Sequence, residues 1–301
     1  MIPQPRTVDL DAARVQRRAL DFLALTKPRL VTMVLITTCV GFYLGTRGAP
    51  DYFLLLRTLF GTALAAAGTM ALNQFLERDV DARMQRTRLR PLPDGRLLPL
   101  EALAFGMAIT VVGLLYLTLA VNVLSGVVTA STSASYLFVY TPLKRKTSLC
   151  SVVGAVPGAL PPVTGWVAAH DGFGVEAWIL FAILFLWQLP HSLAIAWLFR
   201  DDYARGGMRL LPILEPNGGS TARHIMTNCS ALLAVSLLPT LVGLAGRVYF
   251  VAALVLGLAF LGCAIAFAVT RTGASARQLV LASLLYLPAL LFVMALDKIA
   301  Y

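Results

Sequence analysis

From residue 30 onward, apolar runs of about bilayer length alternate with short polar segments. A helix needs about 20 largely apolar residues to cross the hydrocarbon core. On that measure nine spans are predicted, at roughly 30–46, 53–76, 98–119, 121–140, 150–169, 175–199, 225–244, 248–269 and 279–296. Only Asn122 marks the break between the third and fourth. The expected fold class is an all-α polytopic membrane protein. Two four-helix groups should surround a lipid-accessible central cavity, with a ninth helix beside them. Residues 1–28 form an N-terminal tail and 29–301 the nine-helix intramembrane domain.

Composition agrees: 58% of the residues are apolar and 13% charged, against about 25% charged in soluble domains. Charge then sets orientation. Of the 25 lysines and arginines, all but Arg47, Arg57, Arg247 and Lys298 fall on the side shared by the N-terminus and every second loop. The positive-inside rule makes that side, and the N-terminus, cytoplasmic. The formal charge of +10 therefore reflects topology, and no nucleic-acid partner is expected. The first 30 residues have no continuous apolar core with a small-residue cleavage site, which argues against a cleaved signal peptide. Asp9, Asp11 and Asp21 argue against a mitochondrial transit peptide, leaving a bacterial inner membrane. Cys39, Cys150, Cys229 and Cys263 are scattered singly and read as packing residues.

The charge is concentrated oddly. The stretch ALNQFLERDVDARMQRTRLRPLPDGR, residues 71–96, follows an apolar run and is dense in acids and arginines. At about 100° per residue, Asn73, Glu77 and Asp81 lie at roughly 0°, 40° and 80° on a helix, whereas Asp79 falls at about 240°. Three oxygen-bearing side chains thus share one face, with Asp79 turned away. Hard oxygen ligands without nearby His or Cys suit Mg²⁺. A basic loop balanced by acids accounts for many charged segments, but not for a ladder that begins inside an apolar span.

A second acidic segment, WLFRDDYARGGMRLLP at 197–212, emerges on the same side, four crossings later. Two facing carboxylate groups can hold Mg²⁺ ions bridged by a diphosphate, as in a parallel repeat of four-helix units. Cationic partners are available in Arg78, Lys144, Arg145, Lys146 and Arg205. A diphosphate at a membrane surface implies a membrane lipid-like tail inside the bundle. Allylic diphosphates are the reactive members of that class. Neutralising the leaving group lowers the barrier to its departure, and the allylic cation must then be shielded from water. Phe75, Tyr136, Tyr140 and Trp187 offer aromatic faces. These residues lead to intramembrane prenyl transfer without naming the acceptor.

The segments NQFLERDVDARMQRTRLRPLP, YTPLKRKTS, GALPPVTGW, WQLPHSLAIAW and RDDYARGGMRLLP resemble the protohaem IX farnesyltransferase (haem O synthase) branch of the UbiA superfamily of intramembrane prenyltransferases. The resemblance runs from TKPRL at 26–30 to residue 212 and continues as helix pattern. It implies that Asn73, Glu77, Asp81 and Asp202 are the metal ligands, with Glu77 standing where the pattern usually has Asp. Arg78, Lys144 and Arg205 would contact diphosphate, and Tyr140 with Lys144 fills the tyrosine–lysine motif. The second motif departs from the superfamily's D-x-x-x-D, because Arg205 lies four residues after Asp201 and Leu198 four before Asp202. Asp202, beside Tyr203, is the better match to the haem branch. Mg²⁺ is the implied cofactor, and haem b and farnesyl diphosphate the implied substrates. A haem A synthase or terminal oxidase assembly would receive the product.

Histidine carries two readings. His170 and His224 lie near the interfaces, but His191 lies deeper in the sixth span, directly after Pro190. It either satisfies a hydrogen bond inside the bundle, where proline frees a carbonyl, or contacts haem iron. Two other functions compete. A quinone-type aromatic prenyltransferase would use the same cation chemistry. A transporter of an anionic lipid or metabolite would place charge near the midplane, whereas here the carboxylates cluster at one surface.

Overall fold

The structure, a computed structural model, describes residues 7–299. The first six residues of the N-terminal tail and the last two of the intramembrane domain lie outside the described residues. Helix α1 covers Thr7–Leu25. Among the described residues nine further helices are long and apolar enough to cross a membrane: α2 Pro28–Gly45, α3 Tyr52–Asp81, α4 Pro99–Ala120, α5 Val123–Leu143, α6 Cys150–His170, α7 Val175–Leu198, α8 Gly219–Leu241, α9 Arg247–Thr270 and α10 Gly273–Leu296. Among the described residues no named strand occurs, and one isolated bridge joins Ala245 to Lys298.

These helices match the hydropathy spans, with informative differences at their ends. α3 continues past residue 76 to Asp81, and α8 and α10 begin several residues before their apolar runs. Hydropathy ends where side chains turn polar, but backbone hydrogen bonding continues until a cap replaces it. Thr272 supplies such a cap for α10, its Oγ1 accepting from Ser275 N at 3.2 Å. Asp51 does the same for α3, accepting from Phe53 N and Leu54 N at 2.9 and 3.0 Å.

Successive helices pack side by side; α7–α10 close into a four-helix group where α10 packs on α7 and α9, and α2 packs against α6. The ninth span therefore belongs to that group, and it is the first span, α2, that lies against α6 and touches α10. Lys298 ties α10 to α2, donating to the carbonyls of Tyr43 at 2.6 Å and Thr46 at 2.7 Å. The N-terminal segment is also more than a tail. Leu25 is buried with Ala71, Leu92, Leu97 and Ala102, and Phe22 packs at a tilt against Phe105 with ring centroids 5.1 Å apart. Asp21 pairs with Arg96, and Arg18 with Glu101.

In lipid there is little hydrophobic drive between helices, so close van der Waals packing must hold them. α2 and α6 meet at backbone distance. A Cβ on Gly165 would lie 1.9 Å from the Thr38 carbonyl oxygen, and one on Gly41 would lie 2.0 Å from that of Pro162. Neither neighbour is a side chain that can swing away. Gly165→Ala should therefore lower stability by roughly 1–3 kcal/mol, the usual cost of overpacking. Gly262, with nothing within 4 Å of its would-be Cβ, should accept alanine without loss. Thermal melts of the two variants in one detergent check the contrast.

Candidate active site

The end of α3 gathers the predicted face. Asn73, Glu77 and Asp81 are all buried, whereas the Asp79 side chain is 78% exposed beside Arg78. Two carboxylates at the C-terminal end of a helix oppose its macrodipole, and burial adds a desolvation cost. Cations from three other segments offset both. Lys144 Nζ donates to Glu77 Oε1 at 2.8 Å, and Arg90 Nη1 to Asp81 Oδ2 at 2.6 Å. Lys27 Nζ donates to Asn73 Oδ1 at 2.8 Å. Asn73 Nδ2 completes the ladder, donating to Glu77 Oε2 at 3.0 Å and Thr141 Oγ1 at 3.1 Å.

Lys27 and Arg90 are the two site cations that helical periodicity does not reveal. Lys27 sits at the turn between α1 and α2 in the left-handed region, with φ 49°, immediately before Pro28. Burial, reinforced by Arg90 and Lys144, lowers its pKa to about 7 against the opposing pull of Glu77 and Asp81. The cluster thus sets three basic side chains against two carboxylates. Arg78 stands apart: its guanidinium covers the Phe75 ring at 4.7 Å and donates to the Phe75 carbonyl at 2.9 Å. Arg145 and Lys146 are exposed. Of the three basic residues in YTPLKRKTS, only Lys144 turns inward.

The positioning of Lys144 depends on a local irregularity. Residues Ser135–Tyr140 form a π-helical segment, with Thr141 N–H donating to the Tyr136 carbonyl. Pro142 follows, lacking an N–H and crowding the turn before it, and a widened turn relieves that conflict. Tyr136 and Tyr140 end with ring centroids 5.3 Å apart, and the Lys144 ammonium lies 4.4 Å from the Tyr140 centroid.

The second acidic segment meets the first through backbone contacts. Asp202 is buried and Asp201 is exposed. Asp202 Oδ1 accepts from Gln85 N at 2.8 Å and from Arg205 Nη2 at 2.8 Å, while Oδ2 accepts from Arg86 N at 3.3 Å. Desolvation favours its neutral form, but Arg205 and these two N–H groups hold the carboxyl below its ordinary pKa. Arg86 donates to the Tyr203 hydroxyl at 3.1 Å, and Val80, Met84 and Met208 form a small apolar core beneath the junction. Lys144 joins it too, its carbonyl accepting from Arg209 N at 2.8 Å. Asp202 thus locks the two loops together.

His191 lies on α7, away from this cluster. Its Nδ1 shares a 2.7 Å hydrogen bond with Ser283 Oγ of α10, and its ring stacks on Trp187 at 5.0 Å between centroids. Its bundle partner is therefore a side chain of another helix, and no bond runs to a carbonyl freed by Pro190. Trp187 Nε1 donates to the Ser283 carbonyl at 2.8 Å.

A model of the UbiA prenyltransferase family matches residues 34–293. The chain belongs to that family. Protoheme IX farnesyltransferase of Solibacter usitatus (strain Ellin6076) is 48% identical over 287 residues, covering 92% of this chain and 98% of its own. A structure of digeranylgeranylglyceryl phosphate synthase in membranes shares the fold, with TM-score 0.79 at 17% identity over 93% of this chain and 98% of its own. A UbiA homolog from Archaeoglobus fulgidus bound to GPP and Mg²⁺ has TM-score 0.63 at 16% identity, covering 91% of this chain and 99% of its own. In this UbiA chain the oxygens of Asn73, Glu77 and Asp81 are hard donors of the type Mg²⁺ takes. Each of these residues accepts from a cationic nitrogen, however, and among the described residues no three or more His, Cys, Asp or Glu gather as a metal cluster.

Asp202→Asn keeps the shape but puts an NH₂ where one carboxylate oxygen accepts, so at least one of the Gln85, Arg86 and Arg205 donors loses its acceptor. Limited trypsin digestion should then cut the arginine-rich 83–96 loop several-fold faster than in the parent protein. Unchanged protection would refute the locking role.

Proposed function

We propose that the protein transfers the farnesyl group of farnesyl diphosphate to a vinyl group of haem b, making haem O and releasing diphosphate. The buried cluster of Lys27, Arg90 and Lys144 around Asn73, Glu77 and Asp81 carries the diphosphate half of this reading. Likeness to curated protohaem IX farnesyltransferases over most of the chain supports the haem half. The carboxylate end would face the cytoplasm across a bacterial inner membrane, as the lysine and arginine bias implies. A haem A synthase or terminal oxidase assembly would take up the product.

Asn73, Glu77 and Asp81 are the residues that would hold Mg²⁺, with Asp202 as the candidate from the second loop. When bound, Mg²⁺ supplies charge that stabilises the departing diphosphate. Lys144 and Arg90 then turn from carboxylate to phosphate oxygens, joined by Lys27 and Arg205, while Arg78 stays on Phe75 unless its side chain swings. The farnesyl C–O bond breaks and its electron pair leaves with diphosphate. The π faces of Tyr136 and Tyr140 border the resulting allylic cation. The vinyl π electrons form the new C–C bond, and water adds to the remaining cationic carbon with loss of one proton, giving the hydroxyethylfarnesyl group. His191 keeps Nε2 for haem iron while Ser283 holds Nδ1, the arrangement that orients a ligating imidazole.

Purified protein incubated with haem b, farnesyl diphosphate and Mg²⁺ should yield haem O by mass analysis. Unchanged haem alongside a prenylated aromatic acceptor would instead mean a quinone-type enzyme. Asp81→Asn should cut turnover by about 10²–10³-fold, as removal of a charge-stabilising group does, and exposed Asp79→Asn by less than about twofold. Equal losses would refute the division of the α3 faces.

Lys144→Ala should weaken farnesyl diphosphate binding more than haem binding, and arginine should rescue it only in part because its charge is planar and broader. Calorimetric titration with each substrate decides this. His191→Ala should shift the absorbance of bound haem and raise its Kd while leaving farnesyl diphosphate affinity nearly unchanged. A lower melting temperature with an unaltered haem spectrum would assign His191 to the Ser283 contact alone.

A further inference from the structure

Away from the carboxylate cluster, a cavity of about 310 Å³ opens where α8 begins and α9 ends. Ala222, Met226 and Ala268 give it an apolar lining, and Gly219, Thr227, Arg223 and Arg271 complete it. Two crossings separate the Asp202 loop from Arg271, so the cavity lies on the carboxylate side of the bundle.

Both guanidiniums are underused. Arg223 donates to Ser220 Oγ at 3.0 Å. Arg271 donates to the carbonyls of Ala268 at 3.2 Å and Asn217 at 3.1 Å. These are neutral acceptors, and a guanidinium has five N–H donors, so most remain free for an anion. The nearby acid, Glu215, is held by Ser220 N at 2.8 Å. Arg271 also occupies an unusual place. It caps α9 in the left-handed region, φ 50° and ψ 36°, a position that favours glycine. A charged side chain is kept where glycine would cap with less strain.

Below the cavity the outer face of α9 is apolar and uncovered, with Leu258, Ile265 and Val269 exposed. A free diphosphate has no use for such a face, and the lining carries no carboxylate to hold a metal with it. We propose that the cavity binds an anionic phospholipid of the leaflet on the carboxylate side. Arg223 and Arg271 grip the phosphate, and the acyl chains run down the α8–α9 surface. Basic pockets between transmembrane helices recognise lipid headgroups in this way.

Delipidated protein would be mixed with phosphatidylglycerol or phosphatidylcholine and bound lipid counted by native mass spectrometry. The protein should retain one phosphatidylglycerol about thirtyfold more strongly than phosphatidylcholine, the scale set by two arginines near a membrane surface. Arg223→Gln with Arg271→Gln should abolish that preference and leave farnesyl diphosphate binding intact. Arg271→Gly should weaken retention without lowering the melting temperature in neutral detergent, because glycine suits the capping conformation; this variant guards against a double variant that fails to fold. Equal retention of both lipids by the parent protein, or undiminished preference in the variants, would overturn the proposal. Displacement of phosphatidylglycerol by inorganic diphosphate would do the same, marking a small-anion site.

Discussion

Two buried carboxylates at the wrong end of a helix dipole govern the basic-side end of the bundle. Glu77 and Asp81 are costly on α3 alone, because burial and the macrodipole act in the same direction. Each is compensated from a different part of the chain: Lys144 beyond α5, and Arg90 from the loop after α3. Lys27, at the α1–α2 turn, reaches the adjacent Asn73. Removing one partner of a buried pair costs about 3–5 kcal/mol, against at most about 1 for exposed pairs. The contact of Arg200 with 90%-exposed Asp201 is therefore incidental, whereas Lys144 on Glu77 is structural. The proposed ligand site and the junction of four chain segments are the same set of atoms.

That identity explains what could be read from the chain. Spans are legible because apolar length is a local property. The face shared by Asn73, Glu77 and Asp81 is legible because the helical repeat is also local, and the burial of these three beside exposed Asp79 bears it out. The choice of Lys27 and Arg90 over Arg78 was not legible. All are basic residues near the same surface, and their selection depends on the angle at which α1 and the 83–97 loop return to α3. Arg78 is the nearest in sequence to Glu77, but its position on the helix sends it to the Phe75 ring.

The same limit applies to the ninth span and to the second acidic segment. Hydropathy shows that α10 crosses the membrane but not where it packs; its place rests on Ser283 meeting His191 of α7 and on Lys298 reaching two carbonyls near the end of α2. Asp202 could be preferred over Asp201 by pattern, yet its present partners are two backbone N–H groups of the other loop and the Arg205 guanidinium. A carboxylate with four lone-pair sites can keep those bonds and still face a ligand. The second loop thus serves to fix the first even where it contributes less directly to a metal.

The sign of the cluster adds a final constraint. Three basic side chains, Lys27, Arg90 and Lys144, stand against two carboxylates, Glu77 and Asp81, and the lowered pKa of Lys27 reflects burial first and crowding of positive charge second. A further cation entering alone would worsen that imbalance, while a diphosphate entering alone would relieve it and draw the lysines and arginine off the carboxylates. Only then do Glu77 and Asp81 become free acceptors. The proposed metal and the diphosphate are therefore coupled ligands: each lowers the electrostatic cost of the other, and a site that binds either weakly by itself can bind the pair well. The same coupling would protect the bundle between turnovers, because the carboxylates would regain their internal partners once diphosphate left.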